Sequence, residues 1–191
     1  MFFQGSDAVY QAMRRVADEL DRAKIAYAIV GGMAVNAHHH SRTTQDVDFL
    51  LSAEGFAAFR RVAAAGFNTV PDRPRRFIDR ATGVSFDILV AGLFPGSGQP
   101  GPIVFPDPVN VFETIDGLHV INLPTLIQLK LAARRYQDFA DVVNLIRANK
   151  LNESFIPQLH PSVHSDFVEC LEEMGREDEY EKRQDQAVED S

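Results

Sequence analysis

Apolar residues recur along this chain with two different periods, and the switches between them mark its elements. Val9, Met13, Val16 and Leu20 lie three or four apart. That spacing predicts a helix over about residues 7–23, behind the cap candidates Ser6 and Asp7. The pattern then predicts a strand at 26–30, a helix at 32–39 and a strand at 45–51. An alanine-rich helix follows from Ala53 to Ala65, closed by Gly66. Strands are expected at about 67–70, 75–80 and 84–90, the last two forming a hairpin around Ala81-Thr82-Gly83. Residues 91–108 carry four glycines and five prolines, which defeats both helix and ladder, so a long loop is expected there. Such loops are either functional or inert excursions. Val109 to Val120 returns to strand and turn character. Leu123-Pro124-Thr125 opens a helix, with proline tolerated in its first turn. Helices at about 125–134, 137–149 and 163–174 complete a C-terminal bundle. From Gly175 onward the chain is charged and lacks aliphatic periodicity, which predicts disorder or a frayed helix. Strands alternating with helices, then helices alone, predict an α/β core with a helical cap.

Composition narrows this picture modestly. At 191 residues and 45% hydrophobic, the chain suffices for one globular domain with a helical appendage. A single cysteine, Cys170, forbids an internal disulfide and supplies no zinc cluster. The apolar run from Ile25 to Val35 is too short and glycine-interrupted to cross a bilayer. Met1-Phe2-Phe3 lacks the basic start of a signal peptide. A cytoplasmic protein without membrane partners is expected, and Phe3-Gln4-Gly5-Ser6 has the look of a cloning remnant. The net charge of −8 misleads as a guide to partners. Residues 172–191 hold nine acids and three bases, which leaves only −2 for the rest. In that remainder the arginines cluster: Arg73, Arg75, Arg76 and Arg80, then Lys130, Arg134 and Arg135. Such patches serve a nucleotide or a nucleic-acid backbone, or are simply solvated side chains on an exposed loop.

The residues that suggest chemistry begin at Gly31-Gly32, directly after the strand Ala28-Ile29-Val30. Fourteen residues later come Asp46 and Asp48, one residue apart. In a strand these two share a face, while Val47, Phe49 and Leu51 point into a core. Carboxylates so placed repel each other unless a cation sits between them. Asp87 stands opposite the apolar face of Phe86, Ile88 and Val90. Three carboxylates on neighbouring strands suit an oxygen-loving divalent metal such as magnesium. A glycine pair opening a helix suits a phosphate, because its N–H groups are unobstructed. The plainer readings are a tight turn at the glycines and ordinary surface acids on a strand edge. A dinucleotide site is not expected, and no Gly-Lys-Ser/Thr pattern exists, so a Walker-type site is excluded on residues. His38, His39 and His40 point about 100° apart on a helix and cannot converge on one ion. Lys130 is either a snorkelling helix lysine or a triphosphate ligand. Asp138 and Asp141 share a helix face and are expected to pair structurally with Arg134 or Arg135. Arg42 and Thr44 either contact phosphates or cap their loop.

This arrangement resembles the nucleotidyltransferase superfamily with the polymerase-beta-type fold, and within it the AbiEii-type and related bacterial members. The family's first motif maps onto Ile29-Val30-Gly31-Gly32. Its acidic pair, with a preceding Arg-x-Thr, maps onto Arg42, Thr44, Asp46 and Asp48. Its third carboxylate maps onto Asp87, and its helical lysine and aspartate motif onto Leu126 to Arg135 and Gln137 to Val142. The likeness covers roughly residues 25–149, and four motifs in order make it specific. Gly-Gly departs from the Gly-Ser of many minimal members, which loosens the link to the antitoxin-like branch. The resemblance implies a mixed sheet in a catalytic core over residues 1–123, a helical region over 124–174 and an acidic tail over 175–191. It implies transfer of a nucleoside monophosphate from a nucleoside triphosphate to an acceptor hydroxyl, releasing pyrophosphate. Asp46, Asp48 and Asp87 would bind two magnesium ions, for which manganese can substitute, and Asp87 would help deprotonate the acceptor. Gly31, Gly32, Thr44 and Lys130 would bind the nucleotide. The acceptor would be a small molecule or, in a toxin with a cognate antitoxin, transfer RNA. A non-catalytic antitoxin keeping the fold and a metal-dependent hydrolase are the remaining classes.

Overall fold

The computed structural model describes residues 7–40 and 42–189. The cap candidate Ser6 and the residues read as a cloning remnant lie outside them. Helix α1 spans Ala8–Arg22 and is capped by Asp7, whose side chain accepts from the Val9 N–H. Its buried face is Val9, Ala12, Met13, Val16, Ala17 and Leu20, the stripe that the helical spacing predicts. The chain then runs through β1 (Tyr27–Val30), α2 (Gly31–Ala37), β2 (Val47–Leu51) and α3 (Ala53–Val62). Next come β3 (Phe67–Val70), β4 (Arg73–Asp79), β5 (Ser85–Val90), β6 (Phe112–Ile115) and β7 (Leu118–Ile121). Three helices close it: α4 (Leu123–Ala133), α5 (Tyr136–Asn149) and α6 (His164–Glu189).

All seven strands form one sheet in the order β3-β4-β5-β2-β1-β7-β6. It is mixed: β1 with β7 and β2 with β5 run parallel, and the other pairs antiparallel. One face is a dry aromatic layer. Phe59 of α3 sits 5.3 Å from Phe77, 5.8 Å from Phe67 and 6.1 Å from Phe86, between ring centroids. Phe49 extends the layer toward Tyr27. The contacts of Phe59, edge-to-face with Phe77 and Phe86 and tilted with Phe67, join α3 to β3, β4 and β5. The opposite face carries the polar row described below and is roofed by α2 and α4.

Two elements depart from the pattern along the chain. Asp46 lies just ahead of β2 rather than inside it, so the acidic pair straddles a strand entrance. After Gly175, where disorder or a frayed helix is expected, α6 continues as helix to Glu189. Ion pairs one turn apart hold it, between Arg176 and Glu172 and Glu173 and between Arg183 and Glu179. Arg147 of α5 reaches across to Glu177 at 2.8 Å and Asp178 at 3.1 Å. Local charge pairing thus replaces the missing aliphatic stripe. Among the described residues, no helix is long and apolar enough to cross a membrane.

Phe59 is fully buried at the centre of the aromatic layer. Phe59→Ala is expected to lower unfolding free energy by about 3–5 kcal/mol, the usual cost of emptying a packed aromatic site. Urea titration checks this; a loss below about 1 kcal/mol would mean that the layer collapses freely around the gap.

Candidate active site

The site grows from strand register. Val30 pairs with Asp48 across β1 and β2, Asp48 with Asp87 across β2 and β5, and Asp87 with Arg76 across β5 and β4. Paired residues on neighbouring strands share a face. Val30, Asp48, Asp87 and Arg76 therefore form one row over four strands, on the face away from the phenylalanines. Asp46 joins the row from the strand entrance, 3.6 Å from the Arg76 guanidinium, which also lies 3.3 Å from Asp87.

At the head of the row the chain leaves β1 and turns into α2 at Gly31, with φ of +63°. A Cβ there would run into the Asp48 carboxylate. Glycine is needed at 31 both for its backbone angle and for room beside Asp48. The second glycine serves differently. A Cβ on Gly32 would meet Thr44 Oγ1 at 2.8 Å, so Gly32 accommodates the Thr44 side chain. Thr44 Oγ1 in turn donates to the Asp46 carbonyl at 3.1 Å, bracing the segment that carries the first carboxylate.

Above the row lies a cavity of about 380 Å³, reached by Gly31, Asp48, Asp87, Arg75, Lys130 and Arg135. Gly32, Thr44 and Asp46 stand beside it rather than in its wall. One wall is the loop segment Phe94–Gly98. That segment is clamped to the end of α4: Gly96 has φ of +65°, and a Cβ there would come within 2.5 Å of the Ala133 carbonyl oxygen. This stretch of the proline- and glycine-rich loop is thus packed against α4 at the cavity wall.

Lys130 is buried and committed. Its Nζ donates to Asp141 at 2.6 Å and Asp138 at 3.3 Å. Arg42 donates to Asp141 and Arg135 to Asp138, each at 2.6 Å. Asp138 and Asp141 are structural anions, as expected, but Lys130, Arg42 and Arg135 share them, while Arg134 turns to Asp166. His38 is buried with Nε2 2.7 Å from the Ile121 carbonyl oxygen. Burial pushes its pKa down, which keeps the ring neutral and within the fold.

The electrostatics follow from this crowding. Burial first, then the neighbouring charges of Asp46 and Asp87, push the Asp48 pKa up to about 7, against the pull of Lys130 and Arg135. Burial also raises Asp87, with the Arg76 charge opposing it and Asp46 adding to it. This donor set is all oxygen and negatively charged, which fits a hard divalent ion. As they stand, no three His, Cys, Asp or Glu side chains among the described residues are gathered tightly enough to enclose one. A guanidinium occupies the gap between Asp46 and Asp87 instead.

No protein-family model and no curated protein sequence matches this chain. Solved structures do match. The antibiotic-resistance factor ANT(2'')-Ia superposes with a TM-score of 0.51 at 12% identity, covering 87% of this chain and 96% of that one. The chain has a nucleotidyltransferase fold. The same factor has been seen with adenylyl-2''-tobramycin, a structure that matches at TM-score 0.42 and 14% identity over 84% of this chain and 85% of that one. The lincosamide antibiotic adenylyltransferase LnuA, lincomycin-bound, matches at 0.47 and 18% identity, over 71% of this chain and 94% of that one. None of these matches bears on the AbiEii-type branch.

Within this nucleotidyltransferase fold, two contributors escape motif reading. Arg76 belongs to a cluster that looks like solvated loop arginines, and Phe94–Gly98 lies in a stretch read only as a loop. The signal for Arg76 was its position opposite Asp87 in the β4–β5 hairpin, which needs a register correct to one residue.

Asp48 supplies a pH test. Its folded pKa, about 7, lies above the ordinary carboxylate value of 3.8. An unfolded Asp48 ionises first as pH rises, so the folded state is progressively destabilised between about pH 4 and 7 and no further above that. Asp48→Asn removes this penalty. In chelator, the variant's melting temperature is expected to gain little over wild type at pH 4 and several degrees at pH 8. A gain independent of pH would contradict the crowding of the three carboxylates.

Proposed function

We propose that this protein is a magnesium-dependent nucleotidyltransferase, moving a nucleoside monophosphate from a nucleoside triphosphate onto an acceptor hydroxyl. The observation that carries the reading is the in-register pair Asp48–Asp87 facing a cavity, with Asp46 alongside, in a nucleotidyltransferase fold. Asp46, Asp48 and Asp87 would hold the divalent ions, whose chemistry is to neutralise triphosphate charge and acidify the acceptor hydroxyl. The acceptor oxygen forms a bond to the α-phosphorus while the bond to the pyrophosphate oxygen breaks. The hydroxyl proton passes to Asp87, which sits at the β4 side of the row with its side chain 29% exposed. Gly31, with no side chain, lets a phosphate approach the backbone beside Asp48. Lys130 adds fixed positive charge at the cavity wall, and its carboxylate partners hold it in place. Gly32 and Thr44 act on nucleotide binding through the shape of the Asp46 segment.

An RNA acceptor, as in a transfer-RNA-modifying toxin, is a second reading favoured by Arg73 and Arg75. Both are exposed on β4 near Asp87, where a polyanion would find them. Label transfer to RNA that falls steeply with salt supports it; transfer to a neutral small molecule, indifferent to salt, rejects it.

Incubation with α-labelled nucleoside triphosphates, magnesium and RNA, protein or small-molecule extracts tests the reaction. Wild type is expected to transfer label and release pyrophosphate. Asp46→Ala, Asp48→Ala and Asp87→Asn are each expected to lose at least about a hundredfold in rate while remaining folded. Asp87→Asn should still bind triphosphate, since its part is played on the acceptor. Undiminished transfer in any of the three would remove that residue from the reaction.

A further inference from the structure

The Arg76 guanidinium is a fork set between two carboxylates. Nη1 lies 3.3 Å from Asp87 Oδ2, and Nη2 lies 3.6 Å from Asp46 Oδ2. Both distances are long for charge-assisted bonds, which settle near 2.7–2.9 Å. The pairs around the neighbouring helices include tighter ones: Lys130–Asp141, Arg42–Asp141, Arg135–Asp138 and Arg134–Asp166 all stand at 2.6 Å. The short contact that Arg76 makes is with a neutral group, donating from Nη2 to Ser85 Oγ at 2.8 Å. The guanidinium is therefore tethered to Ser85 on β5 and only leans on the two acids. Asp46 and Asp87 keep 42% and 29% of their side-chain surface exposed, so a hydrated ion can reach both.

We propose that Arg76 is a displaceable counter-ion, competing with a divalent cation for the Asp46 and Asp87 carboxylates and held ready by its bond to Ser85. The inference rests on the metal-binding reading of the site and adds a residue that sets its affinity. Asp46 and Asp87 crowd the row together with Asp48, and the nearby Lys130 and Arg135 are already shared with Asp138 and Asp141. Arg76 limits their repulsion, and the same charge opposes an incoming cation. On ion binding the guanidinium gives up its loose contacts and keeps the tight one. Arg76 is thus a positioning residue, acting through the carboxylates.

The test measures Mn²⁺ binding by electron paramagnetic resonance on the full chain, with thermal melting in chelator and in manganese. Arg76→Gln removes the charge and keeps a donor for Ser85. Its Mn²⁺ affinity is expected to rise about tenfold, the order expected when a unit charge a few ångströms from a divalent ion is removed from a half-exposed site. Its melting temperature should fall in chelator and recover in manganese. Arg76→Lys, a compact cation unable to fork between both acids, should show a smaller rise, and decides the matter if the glutamine variant fails to fold. Affinity that is unchanged or weaker in the folded variants, against a wild type that binds, overturns the competition and leaves the metal site standing. If wild type and variants all fail to bind Mn²⁺, the metal reading falls and this inference with it.

Discussion

Backbone hydrogen bonding between β2 and β5 sets Asp48 directly against Asp87, and the surrounding structure is arranged around that enforced repulsion. The ladder cannot slip by one residue without turning the phenylalanines of both strands toward the cavity. The aromatic layer on one face thus locks the carboxylates on the other. Around them each neighbour has a physical reason. Gly31 leaves room for the Asp48 carboxylate, Arg76 leans between Asp46 and Asp87, and burial with mutual repulsion pushes the Asp48 pKa up to about 7. Such a site is poor as a purely structural feature. It becomes favourable once positive charge arrives, as a divalent ion with a triphosphate would bring it.

The helices after the sheet take part through a second charged cluster. Lys130 of α4, Asp138 and Asp141 of α5, and Arg42 ahead of β2 form one network in which every anion has several donors. Removing one partner would strand a buried charge, which costs far more than the network contributes as a whole. Its consequence is positional. Arg42 belongs to the segment that leads to Thr44 and Asp46, so the same pairs that dock α4 and α5 also steady the first carboxylate. The Phe94–Gly98 wall is held by contact with α4 as well, and the cavity is therefore a joint product of sheet and helices.

Much of this was legible along the chain because the strongest signals are local. Helical spacing in α1, the glycine turn after β1 and the alternation in β5 each specify their element from neighbouring residues alone. The ordered series from Gly31 through Asp46, Asp48 and Asp87 pointed to the fold through its resemblance to a known family. What stayed hidden depends on register or on distance. A hairpin register shifted by one residue, as centring the turn on Thr82 gives, places Phe77, not Arg76, beside Asp87, so the guanidinium bridge vanishes from view. Lys130 could be assigned to a triphosphate or to solvent, since nothing local announces partners eight and eleven residues onward in another helix. The tail was left between disorder and a frayed helix because its support is charge pairing, which leaves no aliphatic periodicity to read.

The central claim is that the carboxylate row binds a nucleoside triphosphate through divalent ions. Calorimetric titration with an α,β-methylene triphosphate, which occupies such a site without being cleaved, tests it most directly. The account predicts saturable binding in magnesium that disappears in chelator. Binding of equal strength with and without magnesium, or none in either, would contradict it.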